Sequence, residues 1–188
     1  MAQSLILASA SPRRRELMAY TGIPFQVITA DAEEIKAGEP EALVMENARR
    51  KARAVWRLHP DSVVLGADTI VYQNGAVLGK PRDQEDARSM LRSLSGAWHT
   101  VYTGVCVIEP DGKADSRCDA SRVWFLPLTE ADIARYIASG EPMDKAGAYA
   151  VQGRAGMYVS RIEGRYSNVI GLPMHLVREM LQKAGFVL

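Results

Sequence analysis

At 188 residues with 47% hydrophobic side chains, the chain is long and apolar enough to bury a full core, most simply as one domain over residues 1–188. Its charges nearly cancel: a net charge of +1 gives no global reason to bind nucleic acid or an anionic membrane surface, and no block of like charges marks a tail. No apolar run approaches the roughly 18 residues of a membrane span, and the N-terminus lacks the basic and long apolar segments of a signal peptide, so a cytoplasmic location is expected.

Leu5 to Ala8 reads as a short buried strand. Ser11 is then a good N-cap and Pro12 sits at the favoured first position of a helix running to about Tyr20, which Gly22 and Pro24 end. The first turn carries Arg13, Arg14 and Arg15, where the helix dipole favours negative charge and each cation costs about 0.3–1 kcal/mol. With the hydroxyls of Ser9 and Ser11 and free backbone N–H groups, these cations form either a phosphate cradle or a solvated basic turn. Phe25 to Ile28 alternates as a second strand and leads into Asp31-Ala32-Glu33-Glu34. That cluster either favours the approach to a helix or supplies oxygen ligands to Mg²⁺ or Mn²⁺.

From Pro40 to about Leu58 the pattern is helical, with Val44, Ala48, Val55 and Leu58 on one stripe and Lys51 at its centre. Such a lysine either snorkels past the core or delivers its ammonium into a pocket. Val63 to Pro81 is the most informative stretch. A strand runs through Val63-Val64-Leu65 and Ile70-Val71-Tyr72 and embeds Asp68, a residue disfavoured there unless a cation, metal or donors meet it. Asn74-Gly75 between apolar runs predicts a tight hairpin with both central residues at positive φ. A strict register then sets Gln73 against Ala76, Thr69 against Lys80 and Asp68 against Pro81.

Asp83 begins a third helix whose inward face is Ala87, Met90, Leu91 and Leu94, with Gly96 closing it. Thr100 to Ile108 and Ser121 to Leu126 read as strands around Asp111-Gly112, and Thr129 caps a helix that Gly140 stops. Asp144 to Gly153 reads as a loop and strand whose small residues permit either close approach to a ligand or an ordinary turn. Met157 to Ile162 is a further strand, and Pro173 and Gly185 bound the last helix.

Cys106 and Cys118 are too few for a disulfide framework, and the scattered His59, His99 and His175 argue against zinc. An embedded carboxylate, an arginine-rich helix start, two lysines and an acidic cluster indicate phosphate chemistry. Gly75 to Lys80 is one residue short of a P-loop, and Pro81 replaces the hydroxyl residue that would hold Mg²⁺.

The segments L-I-L-A-S-A-S-P-R-R-R-E-L at 5–17, G-A-D-T-I-V at 66–71, G-K-P-R-D at 79–83, L-S-G at 94–96, D-K-A-G-A-Y-A-V-Q-G at 144–153 and V-I-G-L-P at 169–173 together resemble the Maf family of nucleoside triphosphate pyrophosphatases. The resemblance spans nearly the whole chain. It implies an α/β fold, Maf/ITPase-like, with an elongated mixed sheet, flanking helices and two lobes around a nucleotide cleft, usually as a homodimer. It implies metal-dependent hydrolysis between the α and β phosphates, with G-A-D-T and A-Y-A-V-Q-G similar to the subfamily acting on dTTP and UTP. Carried over by position, Asp68 is the catalytic residue, and Arg13, Thr69 and Gln152 set base preference. Ser9, Arg14, Lys51 and Lys80 contact phosphate, and Glu33 and Glu34 are metal ligands. The competing readings are a non-catalytic nucleotide sensor in cell-division control, which has no need of Asp68, and a single-stranded nucleic-acid binder, which the 7% aromatic content and balanced charge disfavour.

Overall fold

A computed structural model describes residues 4–188; residues 1–3, where the stretch read for a signal peptide begins, lie outside the described residues. The chain opens with β1 (Leu5–Ala8), α1 (Pro12–Ala19), β2 (Gln26–Val27) and α2 (Pro40–Trp56). There follow β3 (Val63–Gln73), β4 (Ala76–Leu78), α3 (Gln84–Leu94), β5 (Trp98–Ile108) and β6 (Ala114–Phe125). After α4 (Glu130–Ala138) come three short 3-10 segments, then β7 (Val159–Glu163), α5 (Tyr166–Ile170) and α6 (Met174–Lys183). The seven strands form one mixed sheet in the order β2-β1-β3-β5-β6-β7, with β4 attached to β3. β1 is parallel to both β2 and β3, while β4 and β7 run antiparallel to their partners. This is the α/β class with a mixed sheet that the sequence implies.

The chain forms two compact units. One runs to Asp68 and adds Thr103–Asp119 and Gly171–Leu188; the other comprises Thr69–Tyr102 and Ala120–Ile170. In the first unit, Ile6, Ala8, Ala48, Ala52, Val55, Val64, Cys106 and Ile108 pack together. Helix α2 lies unusually close to its strands. A Cβ on Gly66 would stand 2.5 Å from the Ala48 carbonyl oxygen and 2.8 Å from the Ala52 nitrogen, and one on Gly104 would stand 2.3 Å from the Val44 carbonyl oxygen. Only residues without a side chain permit that approach. In the second unit, Val71, Leu91, Leu94, Phe125, Ile133 and Tyr149 form the centre of the core.

Helix ends obey the expected chemistry. Ser11 accepts from Arg14 N–H, Asp83 accepts from Asp86 N–H, and Thr129 forms a reciprocal capping box with Asp132. The hairpin also forms as expected: Asn74 and Gly75 take φ of 50° and 82°, and Gln73 pairs with Ala76.

The register does not continue as expected. Pairing ends at Val71–Leu78, and the Gly79 carbonyl instead accepts from Gly147 N–H at 3.0 Å, so the ladder stops short of Lys80 and Pro81. α2 ends at Trp56, and Leu58, beyond it, is 65% exposed rather than part of the apolar stripe. β2 shrinks to two exposed residues, and the acidic cluster is followed by irregular chain up to Pro40. β6 starts at Ala114, seven residues before the strand read from Ser121, because pairing beside β5 recruits a polar segment that propensity alone would leave in a loop. Residues 144–153 form 3-10 and other turns rather than a strand. Gly147 sits at φ 67°, where a Cβ would lie 2.8 Å from Val71 Cγ2, so close approach of the chain to its own strand accounts for this small residue. Arg154–Tyr158 is likewise 3-10, which delays β7 to Val159.

His99 is buried in the second unit, bonds Tyr149 Oη at 2.8 Å and stacks edge-on with Phe125. Burial lowers its pKa to about 4. The unfolded chain takes up this proton at about pH 6.5, so between about 6.5 and about 4 the unfolded state binds more protons and stability falls with pH, by about 3 kcal/mol at most. Urea unfolding at pH values across that window should show the loss, and His99→Gln should flatten it. An unchanged slope in the variant rejects His99 as its source.

Candidate functional site

Asp68 sits on β3 and is 7% exposed. A carboxylate so placed must have partners, and both of its oxygens have one. Oδ1 accepts from Lys51 Nζ at 2.6 Å, and Oδ2 accepts from Asn47 Nδ2 at 3.2 Å. Asn47 and Lys51 are four residues apart on α2 and therefore share a face. The glycine at position 66 is what lets that face reach Asp68, because it brings Ala48 and Ala52 down onto the strand. Of the two alternatives for Lys51, delivery of its ammonium inward is the one observed.

Lys51 holds a second carboxylate, with Glu34 Oε1 at 2.7 Å. Asn47 also reaches the acidic loop, where its side chain accepts from Ile35 N–H at 2.8 Å and donates to the Ile35 carbonyl at 2.9 Å. Arg50 Nη1 donates to the Glu33 carbonyl at 3.2 Å. The loop from Glu33 to Ile35 is thus fixed against α2, which places the Glu34 carboxylate beside the cation of Asp68. Glu33 is held by its backbone, and its side chain is exposed.

The start of α1 supplies the remaining cations. Arg14 donates from Nε to the Gly171 carbonyl at 2.8 Å, and from Nη1 to the Ala67 carbonyl at 2.9 Å and Ser9 Oγ at 3.2 Å. Burial pulls its guanidinium below the ordinary arginine value; Asp68 opposes that fall, Arg13 adds to it and Glu34 opposes it. Arg14 remains a cation. Ser9 is buried, and its hydroxyl also accepts from Ser11 N–H. Arg13 Nε is buried and has no hydrogen-bond partner among the described residues. A cationic donor left in that state fits an anion better than it fits a solvated turn.

Ser9, Arg14, Lys51, Glu34 and Asp68 are therefore linked within one unit by hydrogen bonds and ion pairs, with Asn47 as a member the sequence reading missed. Its signal was its spacing, one helical turn before Lys51, in a helix whose buried face should otherwise be apolar. Thr69, Lys80 and Gln152 belong to the other unit. There Thr69 is half-buried on β3, Lys80 is exposed in the bend after β4, and Gln152 is exposed in the turn before the last 3-10 segment.

Glu34 and Asp68 already direct hard carboxylate oxygens at one cation, the Lys51 ammonium. That donor chemistry fits Mg²⁺ or Mn²⁺, which bind through one or two carboxylates together with substrate phosphates and water. Among the described residues no group of three or more His, Cys, Asp or Glu side chains forms a ready metal cage.

A model of the Maf-like protein family matches residues 4–184. A protein of Pelotomaculum thermopropionicum named dTTP/UTP pyrophosphatase is 48% identical over 187 residues, covering 98% of each chain. Another of that name from Anaeromyxobacter dehalogenans is 50% identical over 193 residues, covering 100% of this chain and 97% of the relative. The solved structure of the Staphylococcus aureus Ham1 protein superposes with a TM-score of 0.56 at 13% identity, covering 96% of this chain and 99% of that one, a likeness of fold.

The pairing of Lys51 with a buried carboxylate predicts an asymmetric cycle. Lys51→Met alone should destabilise the protein by about 3 kcal/mol because Asp68 is left as a buried, uncompensated charge. Adding Asp68→Asn should restore more than half of that loss, since the charge disappears with its need for a partner. Equilibrium urea unfolding of the two single variants and the double variant measures the coupling, and additive losses would show that the pair is not energetically linked.

Proposed function

Because the chain belongs to the Maf-like protein family, we propose that it is a nucleoside triphosphate pyrophosphatase that cleaves dTTP and UTP to the monophosphate and pyrophosphate. The observation that carries the reading is Asp68: a buried carboxylate whose two oxygens are each held by a separate side chain, in a unit that also carries an arginine donor without a hydrogen-bond partner at a helix start. The full-length similarity to proteins named dTTP/UTP pyrophosphatase supports the same reaction class.

Arg13 and the start of α1 attract the phosphates, where the helix dipole favours negative charge. Arg14 braces Ser9 against the strand that carries Asp68. Before substrate binds, Lys51 is shared between the carboxylates of Asp68 and Glu34. A triphosphate offers the ammonium competing anionic oxygens. As Lys51 moves onto them, Asp68 Oδ1 becomes free to orient water and accept its proton, while Asn47 keeps the carboxylate aimed. A base positioned in this way contributes about 10²–10⁴-fold. Glu33 and Glu34 would hold a divalent cation, which would supply Lewis-acid stabilisation of the developing pyrophosphate charge. In the second unit Gln152 reads the pyrimidine edge: uracil and thymine present two acceptors flanking one donor, and a carboxamide can answer with both donor and acceptor. Thr69 complements that reading, and Lys80 contributes charge to the phosphates. The homodimer that the family resemblance implies belongs to this reading, as does a cytoplasmic location, and light scattering of the purified protein tests the first.

Asp68→Asn should lower turnover at least about 100-fold while triphosphate binding is kept or tightened, since one negative charge is removed without change of shape. Turnover within about threefold of the parent would instead favour a nucleotide sensor. Among substrates, dTTP and UTP should exceed CTP, ATP and GTP by at least about tenfold in kcat/KM, because the cytosine amino group sets a donor against the carboxamide's own N–H donor. Pyrophosphate release from a panel of triphosphates, with Mg²⁺ and Mn²⁺ in turn, decides the point. A purine triphosphate or 7-methyl-GTP as best substrate overturns the pyrimidine assignment.

A further inference from the structure

Within the second unit, the backbone on either side of Gln152 is tied to the same pair of side chains. Ala150 N–H donates to Tyr136 Oη at 3.2 Å, and Tyr136 Oη donates to Glu141 Oε1 at 2.9 Å. The other carboxylate oxygen, Glu141 Oε2, accepts from Arg154 N–H at 3.1 Å. The bonds close a clasp whose two ends are the amides two residues before and two residues after Gln152. Tyr136 is 2% exposed on the inward face of α4, so its hydroxyl has a fixed position. Gly140, at φ 76°, reverses the chain immediately after that helix and brings Glu141 back beside it. Gly153 completes the fit: a Cβ there would lie 2.4 Å from Glu141 Oε1, so the turn can press against the carboxylate only without a side chain.

We propose that Tyr136 and Glu141 are positioning residues for base selection, holding the 150–154 turn so that Gln152 presents its carboxamide in one orientation. The proposal rests on the reading of Gln152 as the group that meets the base. Neither side chain needs to touch substrate. Discrimination between a uracil and a cytosine edge depends on the direction of a donor and an acceptor, so freedom of the turn reduces selectivity before it reduces hydrolysis. A purely structural contact would change stability and overall activity while leaving the ratio between bases where it was.

The test is the ratio of kcat/KM for dTTP to that for CTP in four proteins: parent, Tyr136→Phe, Gln152→Ala and the double variant. Tyr136→Phe keeps the buried ring and removes only the hydroxyl. The ratio should fall at least about fivefold in Tyr136→Phe, with the loss for dTTP larger in KM than in kcat, and should fall little further when Tyr136→Phe is added to Gln152→Ala, as residues acting as one unit are non-additive. If Tyr136→Phe does not fold, Glu141→Gln, which leaves one acceptor where the clasp uses two, takes its place. A ratio unchanged by Tyr136→Phe but lowered by Gln152→Ala overturns the clasp and leaves Gln152 as base reader. Full additivity of the two losses also overturns it. A ratio unchanged by Gln152→Ala removes Gln152 from base reading and the clasp proposal with it.

Discussion

A carboxylate inside a strand governs the first unit of this molecule. Ionised Asp68 would cost several kcal/mol without partners, and its partners come from a helix, so the helix must lie closer to the sheet than ordinary side chains allow. Gly66 and Gly104 meet that need where the backbone of α2 comes down, at Ala48, Ala52 and Val44. Small residues at 48 and 52 are part of the same solution, since both are fully buried at the contact. Once α2 is seated, spacing does the rest. Positions 47 and 51 project side by side, one as a neutral donor and one as a cation, and between them they satisfy both oxygens. The pair is a weak source of net stability, since desolvation of two charges consumes most of the attraction. Its effect is geometric: it fixes which way the carboxylate points.

Much of this was legible in the sequence, and the legible parts share a property. Asp68 stood out because an acid in a run of β-branched residues contradicts local propensity, and Lys51 because a cation interrupts an apolar stripe. The helix caps at Ser11, Asp83 and Thr129 and the Asn74-Gly75 turn rest on chemistry contained within a few residues, and each formed as expected. What escaped detection depends on distant chain. Asn47 looks unexceptional until Asp68 and Ile35 are both brought to it across 21 and 12 residues. The hairpin register was right for as long as the ladder lasted and failed at Gly79, whose carbonyl found Gly147 instead. The polar first half of β6 carries no strand signal of its own, and its neighbours impose the conformation.

The arginines at the start of α1 show why residue type does not settle role. Three adjacent cations oppose the helix dipole, which suggests that all of them await an anion. Arg14 does not fit that description: its guanidinium is directed at two carbonyl oxygens and a hydroxyl, and it ties α1 to the strand of Asp68 and to Gly171 before α6. Arg13 differs, with a buried Nε that no group among the described residues meets. Arg15 is exposed. Brace, unmet donor and surface charge thus occupy consecutive positions, separated by the 100° rotation per residue that turns each toward a different environment.

The Lys51 bridge also bears on how substrate binding energy would be used under the proposed reaction. With one ammonium serving Asp68 and Glu34, two carboxylates share a single cation, and the carboxylate that would activate water is occupied by a hydrogen bond. Uncovering it requires a competitor for Lys51 that offers more negative charge than one carboxylate does. A triphosphate meets that requirement through several clustered oxygens, whereas a monophosphate, with fewer charges, meets it less well. Binding energy from the phosphates is then spent on exposing the base, so it lowers the barrier to hydrolysis instead of only tightening the ground state. The same exchange favours release: once pyrophosphate has departed, Lys51 returns to Asp68, and the remaining monophosphate loses the contact that distinguished its parent.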